Sequence, residues 1–232
     1  MTNAGDAEFD GYAGGYDDAL SRGLSLTGES KSYYAEHRIA WLAQQAANAG
    51  MPHPQRVLDF GCGDGDAAPL LRDVLGAREV VGVDVSREMI TIASRCHPWA
   101  TFLPLDRLSE AGEFDAAYCN GVFHHIPLES RPAAARSVLG ALRPGGLFGL
   151  WENNPWNPGT QVVMRRVAFD RDAVLLSPPE TRRMLRGAGF RTLRTDHLFI
   201  FPAWLSPLRK LERPLSRLPI GGQYQVLGQR VA

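Results

Sequence analysis

The chain has 232 residues, of which 44% are hydrophobic and 22% are charged. This balance excludes a collagen-like, disordered or disulfide-stapled chain, and the length corresponds to one large domain or a domain with a small appendage. Because 25 basic side chains balance 25 acidic ones, the net charge gives no reason to expect a nucleic acid or an anionic membrane as a partner.

Hydropathy and cysteine usage predict the cellular setting. The longest apolar run, Leu198 to Leu205, contains a proline and is far shorter than the ~20 residues that cross a bilayer. The first residues lack the charged-then-apolar pattern of a signal peptide. Three scattered cysteines fit neither a disulfide framework nor a zinc site: Cys62, Cys96 and Cys119. We therefore expect a cytoplasmic protein with no metal site and no membrane insertion.

We predict a helical cap over residues 1–55, because this segment carries no strand pattern and Tyr33–Ala49 has the spacing of a helix. From Arg56 onward, short apolar runs alternate with helical segments. This alternation is typical of a parallel sheet covered by helices on both faces. Five of the runs are predicted as strands: Arg56–Phe60, Glu79–Asp84, Thr101–Leu103, Phe114–Cys119 and Gly146–Trp151.

Capping and turn residues mark where the predicted helices begin and end. Ser86 can cap a helix over Arg87–Cys96, and a helix over Leu128–Leu142 stops at an Arg-Pro-Gly-Gly loop. A later helix begins at Ser177, because this hydroxyl is followed by two prolines and Glu180, and it ends near residue 187.

The C-terminal third adds two strands and a helical insertion. Phe190–Phe201 and Gln223–Val231 are β-like, whereas Trp204–Leu218 has leucines at helical spacing and an expected kink at Pro214. The sequence thus predicts an α/β sheet domain over residues 56–232 with lid insertions at about 152–170 and 203–220. We expect the second insertion to pack over a ligand pocket together with the N-terminal helical segment.

A glycine-rich motif follows the first predicted strand. It reads Asp59-Phe60-Gly61-Cys62-Gly63-Asp64-Gly65 and precedes a helical segment. Glycines at this position let the backbone approach a ligand at the carboxyl edge of the sheet. A dinucleotide fingerprint would need a glycine where Asp66 stands, and the nearby carboxylates would repel a pyrophosphate. A nicotinamide-dependent oxidoreductase is therefore the less favoured alternative.

Carboxylates also follow the next two predicted strands. Asp84 ends the second strand, where an acid can accept both hydroxyls of a ribose, and Asp106 follows the third. Each of them alone could be an ordinary cap or turn residue. Together, in order and at this spacing, they indicate a nucleoside-binding edge.

These motifs resemble those of class I S-adenosylmethionine-dependent methyltransferases that act on small molecules. The resemblance covers about residues 56–151. It includes the glycine-rich motif, Val83-Asp84-Val85-Ser86, the segment from Phe114-Asp115 to Asn120-Gly121-Val122-Phe123-His124-His125-Ile126, and Leu142-Arg143-Pro144-Gly145-Gly146. It implies a doubly wound, Rossmann-like, mostly parallel seven-stranded sheet with an antiparallel last strand, and S-adenosylmethionine as cofactor.

The resemblance also implies the cofactor site. Gly61, Gly63 and Gly65 would line the methionine and ribose, Asp84 would hold the ribose hydroxyls, Asp106 would meet the adenine, and Asn120 would lie near the methionine end. Asp59, Cys62 and Val85 belong to the same loops and complete the expected cofactor contacts.

His124 and His125 are the candidate catalytic residues. They lie just after the fourth predicted strand, and imidazole has a pKa suited to base work near neutrality. Similar His-His pairs occur in sugar and natural-product methyltransferases, although a loop histidine can also be a purely structural residue. If the segment is helical, His125 points about 100° away from His124, and His124 is then the general base.

Aromatic and amide side chains are the candidate acceptor contacts. Trp151, Asn153 and Asn154 follow the fifth strand, although Asn-Pro repeats also build turns. In the front segment four tyrosines are candidates to cover the cofactor, although a helical Tyr pair can also be packing: Tyr12, Tyr16, Tyr33 and Tyr34. Of these, Tyr12 and Tyr16 are also candidate acceptor contacts. The sequence does not rank three further candidates there: Glu29, Ser30 and His37.

The predicted function is methyl transfer from S-adenosylmethionine to a small-molecule acceptor, with a hydroxyl favoured over an amine. N-methylation of a small metabolite and a non-catalytic cofactor-binding module remain as alternatives. A nucleic acid acceptor is not expected, because Asn120-Gly121-Val122-Phe123 stands where base-modifying amino-methyltransferases carry an Asn/Asp-Pro-Pro-aromatic motif.

Overall fold

The computed structural model describes residues 27–166 and 173–231, which build a seven-stranded sheet in the order β3-β2-β1-β4-β5-β7-β6. The pairs β1–β2, β1–β4, β2–β3 and β4–β5 are parallel, and β7 runs antiparallel to both β5 and β6. This topology confirms the predicted fold class. The strands are β1 Arg56–Phe60, β2 Glu79–Asp84, β3 Thr101–Pro104, β4 Phe114–Asn120, β5 Leu142–Asn153, β6 Phe190–Leu198 and β7 Gln223–Arg230.

Helices cover both faces of the sheet. The α-helices are α1 Lys31–Asn48, α2 Ala68–Asp73, α3 Arg87–Cys96, α4 Arg131–Ala141, α5 Pro158–Arg166, α6 Pro178–Ala188 and α7 Glu212–Leu215, and 3-10 helices span Leu105–Glu110 and Ala203–Leu211. Alternate strand residues face opposite sides, so Leu58 joins the core under α4 and α6, whereas Val57 joins the core under α1, α2 and α3.

Local signals place the helix ends. The Ser86 hydroxyl accepts the Met89 N–H at the start of α3, and Ser177 and Glu180 form a capping box at the start of α6. Gly189 ends α6 with a left-handed φ of 112°, which glycine adopts without steric cost. These helix starts were predicted from the same residues.

Three predicted boundaries differ from the structure by three residues or more. Helix α4 begins at Arg131 rather than Leu128, since residues 127–130 form a turn and Pro132 suits a first helical turn. Strand β5 begins at Leu142, which pairs with Phe114 across an irregularity in the register. Strand β6 ends at Leu198, because the next residue has a φ of 62° that breaks the strand.

The fourth difference concerns the segment after β6. A single helix over Trp204–Leu218 was expected, but the 3-10 helix Ala203–Leu211 is followed by the short α7. Its backbone departs from helical angles at Leu205, and Pro207 lies inside it, so a continuous α-helix cannot form. Among the helices of the described ranges, no helix is long and apolar enough to cross a membrane.

Candidate functional site

The glycine-rich loop lies at the carboxyl end of β1. Gly61, Gly63 and Gly65 have φ values of 76°, 53° and 83°, a region that glycine alone adopts freely. A Cβ on Gly61 would overlap a methyl of Val122, whereas a Cβ on Gly63 would meet no atom of the described residues within 4 Å. Among those residues, the backbone at Gly63 therefore borders open space, as a ligand cradle requires.

Asp84 ties this loop to the end of β2. Its Oδ2 accepts the Gly63 N–H at 2.8 Å, and its Oδ1 accepts the Ser86 N–H at 2.9 Å. A carboxylate offers about four acceptor positions, so one side chain can serve several donors at once. Val85, next in the chain, is 41% exposed beside it.

Asp59 is a buried carboxyl group at the same edge. Burial, reinforced by the charges of Asp84 and Asp64, raises its pKa to about 8. Within residues 27–166 and 173–231, no group hydrogen-bonds to its Oδ2. A buried polar atom in this state costs free energy, so the site favours a ligand that bonds to it.

Two further predicted cofactor residues differ in exposure. The Cys62 thiol is buried, and burial raises its pKa well above the usual value, so it packs as an apolar group. Asp106 lies on the surface after β3, with its side chain 67% exposed and 3.2 Å from the Arg87 guanidinium.

His124 forms a buried pair with a glutamate that the sequence analysis missed. Its Nδ1 lies 2.6 Å from Oε2 of Glu152, and the two side chains are 2% and 0% exposed. The other oxygen of Glu152 accepts the Phe123 N–H at 2.9 Å. The sequence feature that could have pointed to Glu152 is its position as a lone carboxylate within the apolar end of β5.

A cavity of about 530 Å³ lies beside this pair. Asn120, Gly121, His124 and His125 form one wall of it, at the end of β4. The other walls include Lys31, Tyr33, Tyr34, Arg38, Asn153, Phe199, Trp204, Arg209 and Gln223. The cavity thus combines aromatic, amide and cationic side chains, and one of them, Lys31, lies 3.3 Å from Asp64 of the glycine-rich loop.

Comparisons with known proteins match this chain to methyltransferases. Residues 57–146 match the model of a methyltransferase domain family. Trans-aconitate 2-methyltransferase from Rhodopseudomonas palustris (strain BisB18) is 30% identical over 125 residues, covering 53% of this chain and 48% of that protein. The enzyme of the same name from Methylobacterium nodulans is 29% identical over 177 residues, covering 75% of this chain and 64% of that protein. The chain therefore spans about half to two thirds of the length of these relatives.

A solved structure shows the same fold. Magnesium protoporphyrin IX methyltransferase from Synechocystis PCC 6803, solved with bound S-adenosylhomocysteine, superposes with a TM-score of 0.60 at 16% identity. The match covers 91% of this chain and 87% of that chain.

These matches support a class I S-adenosylmethionine-dependent methyltransferase domain over residues 57–146. The cofactor of this methyltransferase domain is S-adenosylmethionine. The residues present fit that molecule. Among the described residues, the space beside Gly63 is open and Oδ2 of Asp59 has no hydrogen-bond partner, and a carboxyl group suits a cationic ligand. The lone pairs of Asp84 suit a ribose.

The fold brings one predicted acceptor residue to the cavity and leaves two away from it. Asn153, the last residue of β5, lines the cavity. Trp151 is 0% exposed in the core beneath α1, so its predicted acceptor contact was wrong. Asn154 is also 0% exposed, and its amide donates to the carbonyls of Pro219 and Gly221 at 3.2 and 2.8 Å. Its role is to hold the loop before β7.

The two histidines were predicted to diverge if the segment after β4 is helical. This condition is not met, because residues 121–126 form turns, so the 100° rotation per residue does not apply. The two ring centroids lie 4.1 Å apart, and both residues line the cavity.

The candidate residues of the front segment differ in whether they line the cavity. Tyr33, Tyr34 and Glu29 line the cavity. Ser30 caps α1 by accepting the Tyr33 N–H, and His37 is exposed with its Nδ1 2.8 Å from the Tyr33 carbonyl. Tyr12 and Tyr16 lie outside the described residues. Arg38, which the sequence analysis did not single out, lines the cavity as well.

Proposed function

We propose that this protein transfers the methyl group of S-adenosylmethionine to a hydroxyl oxygen of a small molecule, with His124 as the general base. The observation that carries this proposal is the buried His124–Glu152 pair in the wall of the cavity at the end of β4. A histidine oriented by a carboxylate and facing a ligand cavity is the arrangement that base catalysis uses.

Glu152 is the positioning residue in this proposal. A carboxylate 2.6 Å from Nδ1 favours the tautomer that carries its proton on Nδ1. In this tautomer Nε2 carries the lone pair that can accept a proton. The N–H of Phe123 holds the second oxygen of Glu152, so the carboxylate cannot rotate away from the imidazole.

The cofactor supplies a methyl group already activated on a sulfonium. In the proposal Gly61, Gly63 and Gly65 line its methionine and ribose, and Asp84 accepts the ribose hydroxyls. Asn120 lies toward the methionine, and Asp106 toward the adenine. Asp59, Cys62 and Val85 complete the contacts. The remaining tasks of the chain are to exclude water, align the acceptor and take its proton.

A second candidate is methyl ester formation on a carboxylate. It is favoured by the names of the two curated relatives, because trans-aconitate is a tricarboxylic acid. A carboxylate oxygen is ionised at neutral pH and needs no base. The two candidates therefore differ in what they require of His124.

Turnover of S-adenosylmethionine with a panel of small hydroxyl, amine and carboxylate acceptors tests the proposal. Production of S-adenosylhomocysteine and methylated product is expected with a hydroxyl acceptor. His124→Ala should then lower turnover by about 10²–10⁴-fold with cofactor affinity nearly unchanged. Glu152→Gln should lower turnover and shift its pH profile, and the exposed His37→Ala should change neither.

The outcomes separate the candidates. If trans-aconitate is the acceptor and His124→Ala keeps full turnover, the carboxylate candidate replaces the hydroxyl one. Methylation confined to amines would support N-methylation instead. Binding of the cofactor without any turnover across the panel would contradict methyl transfer.

A further inference from the structure

Three aromatic rings pack together in the wall of the cavity. We call them the aromatic cluster: Tyr33 and Tyr34 of α1, and Phe199, which follows β6. The ring centroid of Phe199 lies 4.7 Å from that of Tyr34 and 6.4 Å from that of Tyr33, and the two tyrosine centroids are 5.5 Å apart. The ring planes are inclined by 63° to 86°, which is the edge-to-face arrangement that aromatic pairs prefer. Because all three residues line the cavity, the cluster presents ring surface to a ligand there.

Phe199 keeps its place in the cluster with a strained backbone. Its φ is 62°, and among the residues that the structure describes it is the one residue other than glycine with a positive φ. A bulky side chain disfavours this left-handed conformation, which glycine adopts at no steric cost. Strained residues persist where the surrounding structure holds them, and they concentrate at ligand sites. A phenylalanine at this position therefore indicates that the ring itself is required.

Hydrogen bonds hold the chain on both sides of this strained residue. The carbonyl of Phe199 accepts the Gly222 N–H at 3.1 Å. The next two N–H groups, those of Ile200 and Phe201, both donate to Oε1 of Glu212 at 3.0 Å. The turn is therefore fixed before a ligand binds, and preorganisation of this kind lowers the entropy cost of binding.

The surroundings of the cluster are apolar or balanced in charge. The Arg209 guanidinium lies 4.7 Å from the ring centroid of Tyr33, but it also lies 2.6 Å from the carboxylate of Glu29, so its charge is matched within the chain. Five further apolar side chains line the cavity: Phe201, Trp204, Val162, Val163 and Met164. The cavity around the cluster therefore suits a flat apolar ring.

We propose that the aromatic cluster binds an aromatic ring of the methyl acceptor, and that the acceptor is a phenol or another aromatic alcohol. Phe199 is then a residue that determines acceptor specificity. The inference rests on the proposed function, because it assumes that the acceptor hydroxyl lies beside His124, which lines the same cavity.

Binding of two alcohols with the same carbon skeleton tests this proposal. 2-Naphthol is flat and aromatic, whereas decahydro-2-naphthol carries its hydroxyl on saturated, puckered rings. Calorimetry measures both affinities in the presence of saturating S-adenosylhomocysteine, which allows no turnover. An edge-to-face contact contributes about two- to tenfold in affinity beyond the buried area, and several rings act here. The parent should therefore prefer 2-naphthol by about fivefold or more.

Variants of the cluster should change this preference and leave the affinity for S-adenosylhomocysteine within about twofold of the parent. Phe199→Leu keeps an apolar side chain and removes the ring, so the preference should fall below about twofold. Phe199→Tyr keeps the ring and should keep the preference. Tyr34→Leu should lower the preference as well, and it carries the test if Phe199→Leu does not fold. Trp156→Leu is the matched control, since Trp156 is 52% exposed and is not among the described residues that line the cavity.

The proposal is overturned if the parent binds neither alcohol or binds both equally, or if Phe199→Leu and Tyr34→Leu keep the preference of the parent. It is also overturned if these variants weaken S-adenosylhomocysteine binding by about fivefold or more with the preference unchanged, because the cluster would then serve the cofactor. Failure of the proposed function looks different. The parent would then yield no methylated product from any hydroxyl acceptor, whereas the two alcohols could still be compared by binding.

Discussion

Asp84 shows how one side chain both shapes a loop and is expected to bind a ligand. Replacing it with alanine removes the acceptors for the Gly63 and Ser86 N–H groups and, in the proposal, for the ribose hydroxyls. Charge-assisted bonds contribute ~1.5–3 kcal/mol each, so Asp84→Ala should weaken S-adenosylmethionine binding at least tenfold. Titration calorimetry measures this effect.

The control for Asp84 is Asp73→Ala, which removes an exposed carboxylate paired with Arg72. It should leave cofactor affinity unchanged. Gly63→Val should weaken binding more than Asp84→Ala, because its side chain would fill the open space and strain a left-handed backbone. An unchanged affinity in Asp84→Ala, with the fold intact by circular dichroism, would remove Asp84 from the cofactor site.

At the scale of elements, the 3-10 helix Ala203–Leu211 is tied to the residues before α1. Arg209 pairs with Glu29 at 2.6 Å and lies 4.7 Å from the ring centroid of Tyr33. The Ala203 N–H donates to the Thr27 carbonyl at 2.8 Å. Trp204 and Arg209 line the cavity, as expected for the lid predicted over residues 203–220. That this segment closes over a bound acceptor stays a prediction.

We predict that Glu29→Gln loosens this lid. An ion pair of this exposure contributes up to about 1 kcal/mol, so KM for the acceptor should rise about fivefold while KM for the cofactor stays constant. Hydrogen exchange of residues 203–211 should become faster. Glu110→Gln, which removes an exposed pair with Arg107, is the matched control. A rise in KM for the cofactor instead would show that the segment serves the cofactor site.

At the scale of the whole molecule, Asp59 links stability to pH. Its pKa in the folded state is about 8, against 3.8 for the free group, because burial disfavours the charged form. The unfolded chain therefore holds fewer protons between these two values, and stability falls as pH rises through that window. Above about pH 8 the effect is complete.

Asp59→Asn should remove this dependence. The free energy of unfolding of the cofactor-free variant should exceed that of the parent increasingly from pH 5.5 to 8, by about 1.4 kcal/mol per pH unit at most. Urea unfolding at several pH values measures the gap, with the surface variant Asp73→Asn as control. A constant gap across the range would show that Asp59 is ionised in the folded protein. Weaker cofactor binding should accompany the added stability.

The sequence by itself determined the sheet, the glycine-rich loop and the ends of several helices. These features depend on local physics: alternating burial defines strands, hydroxyl and glycine residues define helix ends, and positive φ angles require glycine at Gly61, Gly63 and Gly65. The carboxylates at strand ends were predictable for the same reason, since parallel strands deliver their carboxyl ends to one edge.

The tertiary structure alone decided which side chains meet. Glu152 contacts His124, which is 28 residues away in the sequence, and Gln223 contacts Arg38, which is 185 residues away. Hydrophobic periodicity describes single elements and does not predict such long-range contacts. The register of β5 with β7 pairs Asn153 with Gln223, which places both beside the cavity. Trp151 lies on the same face of β5 as Asn153 but two residues further from the end of the strand, under α1. Packing against that helix therefore places Trp151 in the core.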